Sequence, residues 1–368
     1  MGIQIFPDSS VYIACPANVA TGGPELLHQL AFHLRNEMGI KAYVLYYNFT
    51  GGSQSPVHPA FRIYNVPFVL EIPSSEDQEK NILIVPEISS ALKLLRKYKN
   101  IRKGVWFLSV DNYYLSKLKK TDFIFKRLLI KLLRSITGSP FFVFDVTSKE
   151  LLNKLMNLYN YQEDRDLINS NFYLFQSYYS LVHFGKLKPS FYLSDYLNKD
   201  FLTITTDFSK KENFVVFNPK KGFSYTKEII KAAKDITFVP IVNMTREQVI
   251  EILQRAKVYI DFGNHPGKDR IPREAAILGC CVITSKRGSA ALQEDVPIPE
   301  RYKFDDTLDN VPRVVETIRY CFENFDEAVR DFDFYRELIK EEPKKFIDDL
   351  KKIFVKIDYE DQKKCESV

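Results

Sequence analysis

The segment from 265 to 285 carries side chains suited to holding an anion. It has the pattern of a polar loop, a helix opened by Pro272 and an apolar strand. A helix N-terminus offers free N–H groups and a partial positive charge to an anion. Lys268 and Arg270 in the loop add donors that suit a diphosphate. Glu274, expected in the first helical turn, adds a carboxylate at the carboxyl ends of the strands, the edge at which open α/β sheets bind ligands.

Each of these residues also has an ordinary structural interpretation. An acid such as Glu274 near a helix N-terminus often does no more than interact with the helix dipole. Lys268 and Arg270 could be solvated, and His265 beside them could be a ligand or a packed core residue. The pattern therefore predicts an anion site with residues whose individual roles stay open.

Two further turns follow apolar strands and have a composition that suits ligand contact. Gly22 and Gly23 follow a strand at 11–15, and without a Cβ their backbone can approach a ligand closely. Lys220 and Lys221 follow a strand at 213–217 and could contact a ligand. A plain βα turn and a pair of solvated lysines are the alternatives.

Two carboxylates stand where an enzyme could place a general base. Asp111 ends a predicted strand at 104–110, and Glu87 follows one at 82–85. A carboxylate at the carboxyl end of a strand can remove a proton from an acceptor hydroxyl. An acid that caps a turn gives the same pattern, so both are candidates only.

Strands and helices alternate twice along the chain. In the first half the predicted strands are 11–15, 42–47, 82–85, 104–110 and 141–144, with a helix at 24–38. In the second half strands at 213–217, 236–239, 258–261 and 282–284 alternate with helices at 225–234, 246–256 and 273–278. Such βα runs are typical of doubly wound parallel sheets. We expect an N-terminal domain at 1–200, a C-terminal domain at 201–335 and a charged helical tail at 336–368 that packs back on the first domain.

Composition narrows the class of protein. The 368 residues carry 52 basic and 47 acidic side chains, a balance that does not favour a nucleic-acid binder. Five cysteines without a C-x-x-C pair favour reduced thiols over a zinc site or a disulfide framework. No secretory signal and no apolar run of about 18 residues stands out, so we expect a cytoplasmic protein. Two Asp-x-Asp pairs, at 164–166 and 331–333, are interpreted as surface acids.

A basic, apolar stretch suggests a possible membrane contact. From Lys117 to Arg134, basic residues alternate with Phe, Ile and Leu. Such a stretch can lie on an anionic lipid surface. A surface helix that packs its apolar side on the core is the alternative.

The C-terminal motif resembles the family-four glycosyltransferases and their GT-B relatives. The similar residues are Pro272-Arg273-Glu274-Ala275, then Gly279-Cys280-Cys281, then Val282-Ile283-Thr284-Ser285. The Gly22-Gly23 turn and the Lys220-Lys221 loop occupy positions similar to two other motifs of that family. The usual first Glu of the family would fall at Pro266, which leaves retaining or inverting stereochemistry open.

The resemblance implies an α/β protein of the GT-B fold, with two Rossmann-like domains facing each other across a cleft. It implies a glycosyltransferase with a nucleotide-sugar donor on the C-terminal domain, where Glu274 binds the ribose. It also implies a glycan or lipid-linked acceptor on the N-terminal domain, in surface polysaccharide or glycoconjugate synthesis. No metal or other cofactor is expected. A sugar-nucleotide epimerase and a non-catalytic nucleotide-sugar-binding protein are the alternatives.

Overall fold

A computed structural model describes residues 2–51, 55–118, 149–185 and 187–357. The chain forms two compact units. The first contains the described residues of 2–117, 159–195 and 344–357, and the second contains 118, 149–158 and 196–343. The prediction for 141–144 and most of the basic stretch at 117–134 lie outside the described residues.

The first unit is built on a parallel sheet, of which the described residues form seven strands in the order β4-β3-β2-β5-β6-β7-β8. The strands, together with a separate β1, are β1 (Ile3–Ile5), β2 (Ser10–Pro16), β3 (Lys41–Tyr47), β4 (Phe68–Val69), β5 (Ile82–Pro86), β6 (Arg102–Phe107), β7 (Phe172–Phe175) and β8 (Ser190–Tyr192). The chain moves outward from β2 to β3 and β4, then returns to the other side of β2. The order therefore reverses between β2 and β5.

Helices in the N-terminal part of the chain follow these strands. They are α1 (Gly22–Asn36), α2 (Ser89–Leu92), α3 (Leu94–Lys97), α4 (Val110–Leu115), α5 (Lys149–Leu158), α6 (Arg165–Ile168) and α7 (Tyr178–Phe184). In α1 the leucines at 26, 27, 30 and 34 are all buried, as the helical spacing predicts. Continuous apolar strands such as Ile82–Pro86 are buried throughout, which is expected of a parallel sheet covered on both faces.

The second unit has a parallel sheet whose described strands follow the order β10-β9-β11-β12-β13. Its strands are β9 (Glu212–Phe217), β10 (Thr237–Pro240), β11 (Ala256–Asp261), β12 (Cys281–Ser285) and β13 (Lys303–Phe304). Its helices are α8 (Lys199–Leu202), α9 (Phe223–Ala232), α10 (Arg246–Arg255), α11 (Arg270–Ile277), α12 (Val311–Glu323) and α13 (Phe325–Ala328). Here the strand order reverses between β9 and β11. The predicted capping box is confirmed, since the Thr245 hydroxyl accepts the Gln248 N–H and the Gln248 side chain accepts the Thr245 N–H.

The chain ends its described part in the first unit. Helix α14 (Asp333–Ile353) contains Pro343 in its interior, and residues from 344 onward belong to the first unit. After α14, β14 (Phe354–Lys356) pairs in parallel with β1, so that Ile3 lies opposite Phe354. The two ends of the described chain therefore stabilise the same unit.

Three local predictions need correction. The strand predicted to reach Val110 stops at Phe107, and Ser109 caps α4, its side chain accepting the Asn112 N–H. The helix predicted from 273 begins at Arg270 instead. Pro272 is tolerated in this first turn because N–H groups there have no acceptor within the helix, so the missing N–H of proline costs no hydrogen bond. Asp166 is buried rather than a surface acid, and Arg96 donates two hydrogen bonds to its carboxylate.

The described cysteines at 15, 280, 281 and 321 are buried and free. Among the described residues, no helix combines the length and apolar character needed to cross a membrane.

Candidate functional site

Each sheet reverses its strand order at one point, and polar residues follow the strands there. In open α/β sheets the loops that follow two strands at such a reversal diverge and leave a crevice, where ligands bind. The first unit has this point between β2 and β5, and the second has it between β9 and β11. All the sequence-predicted residues except Asp111 follow strands that border these two places.

In the first unit, Gly23 and Glu87 lie close to the same residue, Leu108. The Glu87 carboxylate accepts the Leu108 N–H at 3.0 Å. A Cβ added to Gly23 would lie 3.4 Å from Leu108 Cδ1, an ordinary contact. Gly22 and Gly23 start α1 after β2, while Glu87 follows β5. The fold thus brings two predicted groups, far apart in sequence, to the carboxyl edge of this sheet.

Glu87 is buried, with 2% of its surface exposed. Burial raises the pKa of its carboxyl to about 7, although hydrogen bonds from backbone N–H groups act in the opposite direction. A carboxyl with such a pKa can exchange a proton near neutral pH, as a general base must.

Asp111 occupies a different position from the one predicted. It lies in the first turn of α4 rather than at the end of a strand, and it is buried. An acid there interacts favourably with the helix dipole. This placement favours the structural interpretation of Asp111 over a catalytic one.

In the second unit, the turn after β9 lies directly against the loop after β11. Gly222 has a φ of 57°, and a Cβ at this position would lie 2.2 Å from the Phe262 carbonyl oxygen. The side chain of Asn218 accepts the Lys220 N–H at 3.0 Å and shapes the turn. Lys220 itself is exposed, whereas Lys221 is partly buried.

Lys221 starts a chain of alternating charges in this unit. Its Nζ lies 2.6 Å from Asp269 Oδ2, and the same carboxylate oxygen lies 3.0 Å from His265 Nδ1. On the other side of the ring, His265 Nε2 lies 3.6 Å from Asp261 Oδ1. Asp261 in turn accepts hydrogen bonds from the Tyr259 hydroxyl and the Gly263 N–H. The fully buried imidazole thus lies between two carboxylates.

The pKa shifts of His265 and Asp269 favour the charged forms of both groups. Burial lowers the pKa of His265, but the carboxylates of Asp261 and Asp269 outweigh that effect and raise it overall. Burial alone would raise the pKa of Asp269, yet Lys221 and His265 together lower it to about 2. The network therefore consists of ion pairs in which each charge stabilises the charged form of its neighbour.

Asp261, His265 and Asp269 also form a group whose ligand atoms lie within 4.8 Å of one another, close enough to hold a metal ion. No metal site was predicted from the sequence. Both ring nitrogens of His265 face carboxylates, and Lys221 contacts Asp269. A divalent cation bound there would have to compete with that ammonium group.

Lys268 binds a carboxylate of α14. Its Nζ lies 2.6 Å from Glu342 Oε1, and the other oxygen of Glu342 lies 2.8 Å from Arg273 Nη1. Arg273 is completely buried and also donates to the Lys268 and Asp269 carbonyl oxygens. Sequence reasoning missed Arg273 and Glu342, because their positions are 69 apart and no local pattern links them.

Arg270 and Glu274 lie on α11, with half-buried side chains. Since the helix begins at Arg270, Glu274 is its fifth residue and lies in the second turn. The effect of the helix dipole on an acid fades beyond the first turn. An interaction with the dipole is therefore a weaker explanation of Glu274 than the sequence suggested.

No protein-family model matches the chain, and no curated protein matches it by sequence. Solved structures do. A glycosyltransferase from Rickettsia africae has 12% identity and a TM-score of 0.54, covering 94% of this chain and 99% of its own. Sucrose-phosphate synthase from Thermosynechococcus elongatus has 12% identity and a TM-score of 0.56, with 90% and 94% covered.

HepE from Anabaena, solved with UDP, is similar in the same way. It has 11% identity and a TM-score of 0.53, covering 91% of this chain and 95% of its own. At such identities the likeness concerns the fold. The predicted α/β, GT-B fold with Rossmann-like domains is confirmed.

Proposed function

We propose that this protein is a glycosyltransferase that takes a sugar from a nucleotide-activated donor. The observation that carries the proposal is the combination of fold and placement. A GT-B fold matches glycosyltransferases over nine tenths of the chain, and polar groups cluster at the strand-order reversal of each sheet. HepE, which shares the fold, was solved with UDP-glucose, which favours a uridine nucleotide as the first donor to try.

The second unit would hold the donor. The N-terminus of α11 and the cations Arg270 and Lys220 would face the diphosphate, with Lys221 and Lys268 shared between the ligand and their carboxylates. Glu274 would accept hydrogen bonds from ribose hydroxyls. The His265 network would fix the loop after β11, since a buried imidazolium between two carboxylates resists displacement. These cations would stabilise the leaving diphosphate without a metal ion.

The first unit would bind the acceptor, a glycan or a lipid-linked sugar. Glu87, whose pKa is about 7, would remove the proton from the attacking hydroxyl while the Gly22-Gly23 turn lets the acceptor approach the backbone. A role in surface polysaccharide or glycoconjugate synthesis fits such an acceptor. For a lipid-linked acceptor, the basic stretch after Lys117 would contact anionic lipid. Lys117 itself is already paired with Asp164.

The test is thermal stabilisation of the whole chain by a panel of nucleotide sugars carrying uridine, guanosine, adenosine and thymidine diphosphates. A true donor at about a hundred times its Kd should add roughly 2.7 kcal/mol of stability. Turnover of that donor is then measured with and without glycan acceptors. Stabilisation by none of them would refute the proposal, and turnover only without acceptor would indicate an epimerase or a hydrolase instead.

A further inference from the structure

A buried carboxylate on α14 holds two cations at the start of α11. Glu342 Oε1 lies 2.6 Å from Lys268 Nζ, and Glu342 Oε2 lies 2.8 Å from Arg273 Nη1. The carboxylate is 7% exposed and the lysine side chain 12% exposed. Cations therefore engage both oxygens of one anion, as they would engage the oxygens of a bound phosphate group.

The two cations differ in how firmly the protein holds them. Arg273 is completely buried and donates hydrogen bonds to the carbonyl oxygens of Lys268 and Asp269, at 3.1 and 3.2 Å. These bonds keep the guanidinium in place whatever Glu342 does. Lys268 has a flexible stem, a compact ammonium with three donors, and some exposure to solvent. Its ammonium is therefore the group that can turn to a second anion.

The backbone around Lys268 is held independently of Glu342. The Ser289 hydroxyl donates to the Gly267 carbonyl oxygen at 2.6 Å, and the Ser289 N–H donates to the His265 carbonyl oxygen at 2.8 Å. Helix α11 begins two residues after Lys268. A diphosphate at that helix N-terminus would lie within reach of the lysine side chain without any movement of the loop.

A second donor stands near Glu342 on α14 itself. Tyr335 lies seven positions earlier, on the same face of the helix, and is 1% exposed. Its hydroxyl has no hydrogen-bond partner among the described residues, and Arg273 and Glu342 are among the charges that act on it. Buried hydroxyls are normally paired, so this one can donate to a Glu342 oxygen that Lys268 has left.

The helix also has a weak point next to this carboxylate. Pro343 follows Glu342 in the interior of α14 and has no N–H, which removes one hydrogen bond of the helix backbone. A small shift of Glu342 towards Tyr335 therefore meets less resistance there than in an unbroken helix.

We propose that Glu342 is an internal counter-ion that competes with the donor diphosphate for Lys268. In the structure the carboxylate holds the ammonium. A bound diphosphate takes it over, while Glu342 keeps Arg273 and accepts the Tyr335 hydroxyl. This rests on the proposed function, and it adds that the donor site contains an anion of its own. Competition of this kind lowers the affinity for the diphosphate and so favours release of the nucleotide after transfer.

The experiment titrates the full chain with inorganic pyrophosphate by calorimetry at low salt. Glu342→Gln removes the charge but keeps an oxygen for Arg273. It should bind pyrophosphate about tenfold more tightly and unfold at a lower urea concentration. Tyr335→Phe removes a hydroxyl without a partner, so it should bind pyrophosphate about fivefold more weakly with no loss of stability. Glu341→Gln, one position away and exposed, is the matched control and should change neither property.

A second measurement uses the unaltered chain, so it does not depend on a variant folding. Pyrophosphate should slow hydrogen exchange in 264–271 and speed it in 338–342, because α14 loses its contact with Lys268. Exchange in 338–342 that is unchanged or slower would overturn the proposal. So would a Glu342→Gln variant that binds no more tightly than the unaltered chain, or a Tyr335→Phe variant that binds equally well.

Failure of this proposal can be told apart from failure of the proposed function. If nucleotide sugars stabilise the chain but pyrophosphate binds to neither the unaltered chain nor Glu342→Gln, the competition for Lys268 is refuted alone. If neither nucleotide sugars nor pyrophosphate has any effect, both proposals are refuted.

Discussion

At the residue scale, the charged side chains of the second unit are mostly committed to one another. Lys221 pairs with Asp269, Lys268 pairs with Glu342, and Arg273 holds the other oxygen of Glu342. Breaking such a buried pair by removing one partner costs more stability than the pair adds overall, because the other charge stays buried. Mutations at Lys221 or Lys268 would thus mix effects on binding and folding. Lys303 allows a cleaner experiment.

Glu274→Gln should weaken nucleotide-sugar binding about ten- to a hundredfold while leaving the fold intact. Each hydrogen bond to a charged acceptor contributes roughly 1.5–3 kcal/mol, against about 0.5–1.5 kcal/mol for one to a neutral amide, and a ribose offers more than one hydroxyl. Because Glu274 lies in the second turn of α11, the loss of its interaction with the dipole should be small. Calorimetric titration and a melt without donor separate the two effects. Glu247→Gln, in the first turn of α10, is the control. Unchanged affinity for the donor in Glu274→Gln would place the ribose elsewhere.

Lys303→Met should stabilise the protein. Lys303 is 3% exposed, and within the described residues its Nζ has no hydrogen-bond partner. Burial lowers its pKa from 10.5 to about 8. Below pH 8 the folded state carries the cost of a buried charge, on the order of 2–3 kcal/mol. Between pH 8 and 10.5 Lys303 has lost its proton in the folded chain but still holds it in the unfolded chain. Stability therefore rises with pH over this range, and the cost has disappeared near pH 10.5.

The gain from Lys303→Met should therefore be largest at pH 7 and vanish near pH 10.5. Urea unfolding at pH 7, 9 and 10.5 measures it, with the half-exposed Lys286→Met as control. A variant that is less stable at pH 7, or a gain that does not change with pH, would mean that Lys303 has a stabilising partner.

At the element scale, buried polar groups tie the ends of helices together in the second unit. Lys211 Nζ donates to the carbonyl oxygens of Leu253, Ala256 and Leu278, at the carboxyl ends of α10 and α11. The last carbonyls of a helix lack partners within the helix, so a cation is favourable there. One side chain thus fixes the ends of two helices before β11 and β12 begin.

Lys211→Met should destabilise the second unit by roughly 2–4 kcal/mol, because it leaves buried carbonyl oxygens without donors. Its neighbour provides the control: Lys210 has a largely exposed side chain, and Lys210→Met should change stability by less than about 0.5 kcal/mol. Denaturant unfolding of both variants gives the difference. If the two variants were equally stable, the hydrogen bonds of Lys211 in the folded protein would add no stability over those that the same groups form with water in the unfolded chain.

Gly222→Ala should cost more stability than a positive φ alone explains. Gly51 has a φ of 83° with nothing within 4 Å of an added Cβ, so Gly51→Ala should cost only about 1–2 kcal/mol. At Gly222 the Cβ would also meet the Phe262 carbonyl, and we expect at least about 2 kcal/mol more. Thermal and urea unfolding compare the two. A similar cost for both would mean that the β9–α9 turn can move away from the loop after β11.

At the scale of the whole molecule, two doubly wound units supply complementary chemistry. The first has a buried carboxyl with a pKa of about 7 at its strand-order reversal, and the second has an ion-pair network at the corresponding place. Proton removal and anion binding are the two tasks that glycosyl transfer from a nucleotide sugar requires. This correspondence, rather than any single residue, is why we propose a transferase.

Donor turnover should persist in EDTA. Cationic side chains and a helix N-terminus would stabilise the diphosphate, and the Asp261–His265–Asp269 group is already occupied by ion pairs with Lys221 at one end. A metal-dependent glycosyltransferase assayed in parallel should lose activity under the same conditions. Activity that chelation abolishes and manganese or magnesium restores would assign a metal to this group and refute the expectation.

The sequence alone predicted much of the fold, because its signals are local. Helical spacing in 24–38, the capping box at Thr245 and the stop at Gly279 each act within a few residues, and the structure has elements at these places. The short strands β7 and β8 were missed, since three or four residues carry too little periodicity. Val110 was assigned to a strand because β-branched residues favour strands, but the Ser109 cap starts a helix there.

Only the tertiary structure decided what the charged residues do. The motif around Glu274 identified the loop, but whether Lys268 is free for a phosphate depends on Glu342, which α14 brings from 74 positions away. Likewise, Glu87 has an ordinary pKa in an unfolded chain, and it is raised to about 7 because packing removes water from the carboxyl. Local sequence determines where helices and strands begin. Burial and charge pairing depend on contacts between distant segments, so they exist only once the chain has folded.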